Sequence, residues 1–141
     1  MSDLLERLRR RGWRMTAQRR VIAQTLDGDH VHLTADEVHT RAARLLPEIS
    51  RATVYNTLGE LVVLGEVAEV TVDGRAKRYD PNTRRPHHHL VCTRCGTIRD
   101  VHPTGDPLTR LPADRRLGFT VATADIVYRG LCPDCGAGST A

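Results

Sequence analysis

The chain has 141 residues, a formal net charge of +4 and 40% hydrophobic residues, which suits one or two small domains and excludes a large multidomain enzyme. No run approaches the roughly 18 consecutive apolar residues of a membrane span. The opening MSDLLERLRRRG has neither the apolar run nor the cleavage site of a secretory signal, so the expectation is a cytoplasmic protein without a membrane partner.

In chain order, residues 2–11 read as a short helix with Leu4, Leu5 and Leu8 on one face and arginines on the other, ended by Gly12. Thr16 is the cap of a second helix carrying Val21, Ile22 and Leu26, which stops near Gly28. The capping box Thr34-Ala-Asp-Glu37 opens a third, with Val38, Ala42, Leu45 and Leu46 as its apolar stripe and Pro47 as its end. Ser50 caps a fourth helix reaching about Leu64. Its buried stripe is Val54, Leu58, Leu61 and Val62, with Arg51, Tyr55, Asn56 and Gly59 outward and Gly65 as the stop.

Residues 67–72 alternate apolar and polar, Asp73-Gly74 is a hairpin turn signal, and residues 75–79 return as a basic strand. Helices followed by a basic hairpin describe a winged helix-turn-helix domain over residues 1–80. Residues 81–86 form a polar, proline-bounded linker. Beyond it the pattern turns to strands near 88–91, 97–101 and 120–131, with a short helix around 108–117. This is a small α/β domain over 87–136, followed by a tail at 137–141, and the whole chain is α+β.

The four cysteines fall as two pairs, Cys92-x-x-Cys95 and Cys132-x-x-Cys135, with none left over. In a cytosolic chain such pairs read as a four-thiolate tetrahedral zinc site; a redox dithiol or plain buried thiols are the alternatives. Gly96 and Gly136 follow each pair, where a tight turn favours a residue without a side chain.

His87, His88 and His89 precede the first knuckle. On a strand, His87 and His89 share a face while His88 points away, and an antiparallel return brings Asp100 alongside them. His32, ahead of the third helix, and Asp80, at the end of the wing, are further candidates. These sulfur-free donors suit Fe(II), Mn(II), Zn(II) or Ni(II) rather than Cu(I). Singly, each also reads as a loop histidine, a strand surface charge or a turn residue.

In the helix-turn-helix, the outward residues of the fourth helix reach DNA: Arg51 to guanine or phosphate, Asn56 to adenine, and Tyr55 to a thymine methyl or a phosphate. The alternative is a solvated polar face. Arg14, Arg19 and Lys77 complete the candidate DNA contacts. A zinc-dependent hydrolase is disfavoured, because no acid/base residue stands beside the histidines as an HExxH helix supplies one.

With these motifs in place, the chain resembles the ferric uptake regulator (Fur) family of metal-dependent repressors. The resemblance rests on Gly12-Trp-Arg14-Met-Thr16-Ala-Gln18-Arg19, His32-Leu-Thr-Ala-Asp36-Glu37-Val38, Ser50-Arg-Ala-Thr53-Val-Tyr55-Asn56-Thr-Leu58, His87-His-His89-Leu-Val-Cys92 and the CxxC pairs. It implies a homodimer on a palindromic double-stranded operator, a structural zinc and a regulatory Fe(II) or Mn(II), with no enzymatic activity and no small organic substrate. Asn56 after Tyr55, and Asp100 where many relatives have glutamate, resemble the peroxide-sensing branch. That branch implies His32, Asp80, His87, His89 and Asp100 as the regulatory ligands and iron-catalysed oxidation of His32 and His87 as the signal. An iron or manganese uptake repressor is the neighbouring reading. The chain departs from the branch by one extra residue between Asp80 and the histidines, and Arg85 stands where a nickel sensor has histidine.

Overall fold

Side-chain caps open three of the first four helices in the computed structural model, which describes residues 3–28, 31–71, 74–83 and 86–138. Helix α1 spans Leu4–Arg10 and α2 spans Ala17–Leu26, where the Thr16 hydroxyl accepts the Arg19 amide at 3.2 Å. Helix α3, Ala35–Leu45, starts on a reciprocal box: Thr34 accepts the Glu37 amide at 3.1 Å, and Glu37 reaches back to the Thr34 amide at 3.3 Å. Ser50 accepts the Thr53 amide at 3.1 Å to open α4, Arg51–Val63. Gly65 turns the chain out of α4 at φ 77°, a conformation that side chains resist.

The chain divides into two units, Met1–Arg85 and Pro86–Ala141. In the first, Leu4, Leu8, Ile22, Leu26, Val38, Val54, Leu58 and Leu61 are fully buried and weld the four helices together. Each such aliphatic side chain contributes about 1.5–3 kcal/mol on burial. A small antiparallel sheet completes the unit, ordered β1-β3-β2, from β1 (Leu33–Thr34), β2 (Ala68–Val70) and β3 (Arg78–Asp80). Thr34 lies opposite Arg78, and Ala68 opposite Asp80.

The second unit is a three-stranded sheet ordered β5-β4-β6, from β4 (His88–Cys92), β5 (Ile98–Val101) and β6 (Val127–Gly130). Strand β4 runs antiparallel to β5 and parallel to β6. A short helix α5, Pro133–Gly138, follows. Among its described residues only Val91, Cys92 and Ile98 are buried apolar side chains.

Several expectations change. Arg7 is not on the solvent face of α1 but buried, with its partners 59 and 74 residues away. Leu45 is 60% exposed rather than part of the stripe of α3. Strand β1 was unanticipated: two residues carry no period, and they exist as a strand because β3 pairs with them. The wing strands are shorter than expected, and Asp73 lies outside the described residues, as does Arg85. Pro81 is fully buried and belongs to the first unit rather than to an exposed linker. In place of a helix over 108–117 there are two 3₁₀ turns, Pro107–Arg110 and Ala113–Arg115, because Pro112 has no amide to continue the first. The strand expected over 120–131 is confined to β6. Residues 137 and 138 belong to α5, while 139–141 lie outside the described residues.

Candidate metal centres

In the second unit, two knuckles of matching geometry face one another. The Cys95 amide donates to Cys92 Sγ and the Cys135 amide to Cys132 Sγ, each at 3.5 Å. Gly96 at φ 79° closes the first, its amide donating to the Cys92 carbonyl at 2.9 Å. Gly136 lies inside α5 without a positive φ, so only the first knuckle uses glycine as expected. Thr93, through both its amide and its hydroxyl, donates to the Gly130 carbonyl, and Arg94 donates to the Cys135 carbonyl. These bonds tie the first knuckle to the strand and helix that carry the second.

All four sulfurs lie within 4.8 Å of one another, and Cys95 Sγ is 3.8 Å from Cys132 Sγ. A tetrahedron with zinc–sulfur bonds of about 2.3 Å has sulfurs about 3.8 Å apart, so the donor set fits zinc. Ionisation is uneven across the cluster. Amide donors from Cys95 and Cys132 draw the Cys92 thiol down to about 5, whereas the neighbouring Cys132 sulfur pushes Cys135 up to about 12. Four thiolates cannot crowd together without a cation between them, and a dication removes that conflict.

The sulfur-free candidates occupy both units. In the first, His32 Nε2 lies 3.2 Å from Asp80 Oδ2, with both side chains buried. The Asn82 amide donates to the other Asp80 oxygen at 2.8 Å, which fixes the carboxylate plane. The Asp80-Pro-Asn82 turn is the local signal for that bond, since aspartate side chains accept amides two residues on.

In the second unit, the β4–β5 register sets His89 opposite Asp100. Asp100 Oδ1 lies 3.5 Å from His87 Nε2 and 3.6 Å from His89 Nε2, and the two rings meet edge to face at 4.8 Å. His88 faces the other way, and its Nδ1 accepts the Ile126 amide at 2.9 Å. It orders the approach to β6 and is not part of this group. Both groups offer imidazole nitrogen and carboxylate oxygen, a set suited to divalent first-row metals.

The candidate DNA residues surround α4. A polar cleft of about 300 Å³ is lined by Arg14, Thr16, Gln18, Arg19, Thr53, Asn56, Thr57 and Glu60. Tyr55, Asn56 and Arg14 are exposed. Arg19 is engaged internally: its guanidinium pairs with Glu60 at 2.8 Å, donates to the Arg14 carbonyl at 2.7 Å and stacks 4.3 Å over Trp13. Arg51 pairs with Asp36 of α3, and Lys77 with Glu69 at 3.2 Å.

The sequence profile of the ferric uptake regulator family matches residues 10–129. This chain belongs to the ferric uptake regulator family. Within that family, the transcriptional regulator FurA of Mycobacterium tuberculosis is 32% identical over 140 residues, covering 99% of this chain and 95% of the relative. The peroxide-responsive repressor PerR of Staphylococcus saprophyticus is 36% identical over 136 residues, covering 96% and 90%. Among solved structures, a zinc-bound manganese uptake regulator superposes with a TM-score of 0.74 at 28% identity, covering 92% of this chain and 98% of that one. This family member is thus a metal-responsive transcriptional regulator. No helix among its described residues is long and apolar enough to cross a membrane.

Proposed function

We propose that this chain is a homodimeric, metal-dependent repressor of palindromic DNA in the cytoplasm, and that it senses peroxide through oxidation of its own regulatory histidines. The observation that carries the reading is the sulfur-free donor set on both sides of the boundary between the units: His32 with Asp80, and His87 and His89 with Asp100. One ion taken up by all five joins the winged helix to the second unit and selects one arrangement of the two. Metal and DNA then favour the same conformer, and each raises affinity for the other by the same factor.

Fe(II) held there would reduce hydrogen peroxide by one electron to hydroxide and a hydroxyl radical beside these side chains. The radical's oxygen would add to an imidazole carbon of His32 or His87, and return of one electron to the oxidised iron with loss of the ring C–H proton would complete the oxygenation, weakening that histidine as a donor and releasing the winged helix. Cys92, Cys95, Cys132 and Cys135 hold a structural zinc, which leaves imidazoles as the groups that respond. A second unit with three buried apolar side chains among its described residues needs such a staple, and it needs a partner as well. Its exposed Leu111, Leu117, Phe119 and Tyr128 supply the surface for a second copy.

Arg14, Arg51, Tyr55, Asn56 and Lys77 meet DNA, and Arg19 joins them once Glu60 yields to phosphate. Binding weakens steeply with salt, as phosphate contacts require. The relative FurA and the manganese uptake regulator structure favour a second reading, an iron or manganese uptake repressor that senses metal concentration only.

The two readings separate by mass spectrometry of Fe(II)-loaded and Mn(II)-loaded protein after a small dose of peroxide, with operator binding followed in parallel. Oxygen added to peptides holding His32 or His87 only in the iron form, together with loss of binding, is the expected result. Unmodified histidines with binding intact leave the metal-uptake reading. Alanine at His89 is expected to abolish metal-dependent DNA binding; no change would refute the five-ligand site.

A further inference from the structure

Within the first unit a continuous run of polar contacts leads from the His32–Asp80 pair to the helix that packs against α4. It passes through Arg78, which lies two residues before Asp80 on β3 and opposite Thr34 of β1. A single nitrogen of Arg78, Nη1, donates to the His32 carbonyl at 2.9 Å and to Glu37 Oε1 at 3.3 Å. That same Glu37 oxygen accepts the Thr34 amide at 3.3 Å and the Thr34 hydroxyl at 3.0 Å, so it is the oxygen that closes the amino end of α3.

We propose that Arg78 is a positioning residue, coupling occupancy of the His32–Asp80 pair to the amino end of α3 through this shared nitrogen. The inference rests on His32 and Asp80 being metal ligands.

The physical case is one of geometry. Strand β1 is two residues long and holds His32 at its edge by pairing with β3 and by the Arg78 bond. The His32 backbone carries an acceptor of Arg78, so a shift of that backbone when His32 takes a ligand is passed to the guanidinium. A displaced Arg78 alters its contact with Glu37 Oε1, the same oxygen that accepts the Thr34 amide and hydroxyl. Any ligand that prefers one placement of His32 therefore selects one state of the cap of α3. Such coupling reads out as non-additivity between changes at Arg78 and Glu37.

The test uses Mn(II) as the probe on the intact zinc-loaded protein. It compares wild type with Arg78→Met, Arg78→Lys, Glu37→Gln, the double variant Arg78→Met/Glu37→Gln, and His32→Ala. Manganese affinity is read from the electron paramagnetic resonance of the free ion, and amide exchange of the first turn of α3 is followed with and without manganese. In wild type, manganese slows exchange at Glu37 and Val38. Arg78→Met weakens manganese binding about tenfold, the scale expected for a partner that orients a ligand. It also abolishes the manganese effect on α3 while leaving one zinc per chain. Adding Glu37→Gln to Arg78→Met has no further effect.

Arg78→Lys keeps the charge, but its shorter side chain stops short of the position of Nη1, and it is expected to behave as Arg78→Met does, which covers the case in which the methionine variant fails to fold. A lower melting temperature with manganese-dependent protection of α3 retained means that Arg78 is only structural, and it overturns the proposal. Additive effects in the double variant also overturn it. If His32→Ala binds manganese as wild type does, the ligand reading itself fails and takes this inference with it. If His32→Ala loses binding while Arg78→Met does not, only the inference fails.

Discussion

Replacing Arg7 with methionine tests whether the root of the wing is held by a buried ion pair. The Arg7 side chain is 3% exposed. Its Nε donates to Glu66 Oε2 at 2.7 Å and its Nη2 to the carbonyls of Glu66 and Pro81 at 3.1 and 2.9 Å. Glu66 precedes β2 and Pro81 follows β3, so one guanidinium grips both ends of the hairpin and ties them to α1. Burial opposes its charge, but the hydrogen bonds it donates to the Glu66 and Asp3 carboxylates outweigh burial and raise its pKa above the usual arginine range, so it stays cationic.

The Asp3 contact counts for little, since Asp3 is 46% exposed, about 0–1 kcal/mol. The Glu66 contact is the large one, because its side chain is only 11% exposed and loses its main cation. Removing one partner of a buried pair costs about 3–5 kcal/mol. Arg11, at 3.2 Å from the other Glu66 oxygen, remains, which places the expected loss near the lower figure. For a domain of this size that is a fall in melting temperature of more than about 10 °C. A Glu66→Met change added to Arg7→Met removes the stranded carboxylate and is expected to recover about 1 kcal/mol of the loss. The rest persists because the two carbonyls still lack a donor, at about 1–3 kcal/mol for a buried group. Urea unfolding followed by fluorescence is the assay, since Trp13 is the sole tryptophan and lies in the first unit. A single variant that loses less than about 1 kcal/mol, or a double variant no better than the single, refutes the reasoning.

Other outcomes follow from the same structure. Leu58→Ala, at a fully buried position of α4, is expected to cost about 2–5 kcal/mol by the same fluorescence assay, and a cost under 1 kcal/mol would contradict the packing described. Thr34→Ala removes the cap of α3 and is expected to cost about 1 kcal/mol, with faster amide exchange confined to the first turn of that helix. Cys132→Ser is expected to lower zinc per chain, measured by elemental analysis, and to unfold the second unit while the Trp13 transition survives; full zinc retention counts against the four-sulfur site. In the metal-free chain Cys135 holds its proton at neutral pH, because Cys132 pushes it up to about 12, and zinc must displace that proton. Zinc affinity therefore rises with pH and falls as pH is lowered, as a chelator competition at pH 6 and 8 reads directly, and equal affinities would refute the assignment.

How much of this was legible in the sequence depended on the range of the forces involved. Thr16, Thr34 and Ser50 act on amides three residues away, so the starts of α2, α3 and α4 could be read from neighbours alone. The CxxC spacing carries its own geometry, and the alternation of the extended chain leading into β4 places His87 and His89 together and His88 apart. Arg7 illustrates the opposite case. It stands three residues after Leu4 at the edge of the apolar face, but helical spacing does not bury a guanidinium; the Glu66 carboxylate and the Glu66 and Pro81 carbonyls, 59 and 74 residues away, make its burial tolerable. Strand β1 had no signal because two residues cannot show a period, and Arg78 gave none as a link because its partners, the His32 carbonyl and Glu37, lie 46 and 41 residues back. Leu45 keeps its helical spacing yet faces solvent, since no later element among the described residues covers that edge of α3.

The sequence by itself determined the helix starts, the two knuckles, the donor chemistry of the histidines and aspartates, and membership of a regulator family, because these rest on residue type and short spacing. Tertiary structure alone decided which charges are buried, that β1 pairs with β3 and β6 with β4, and that the His32 backbone shares an arginine with the cap of α3. Those outcomes are contacts between residues far apart in the chain, where packing and desolvation settle what local propensity leaves open.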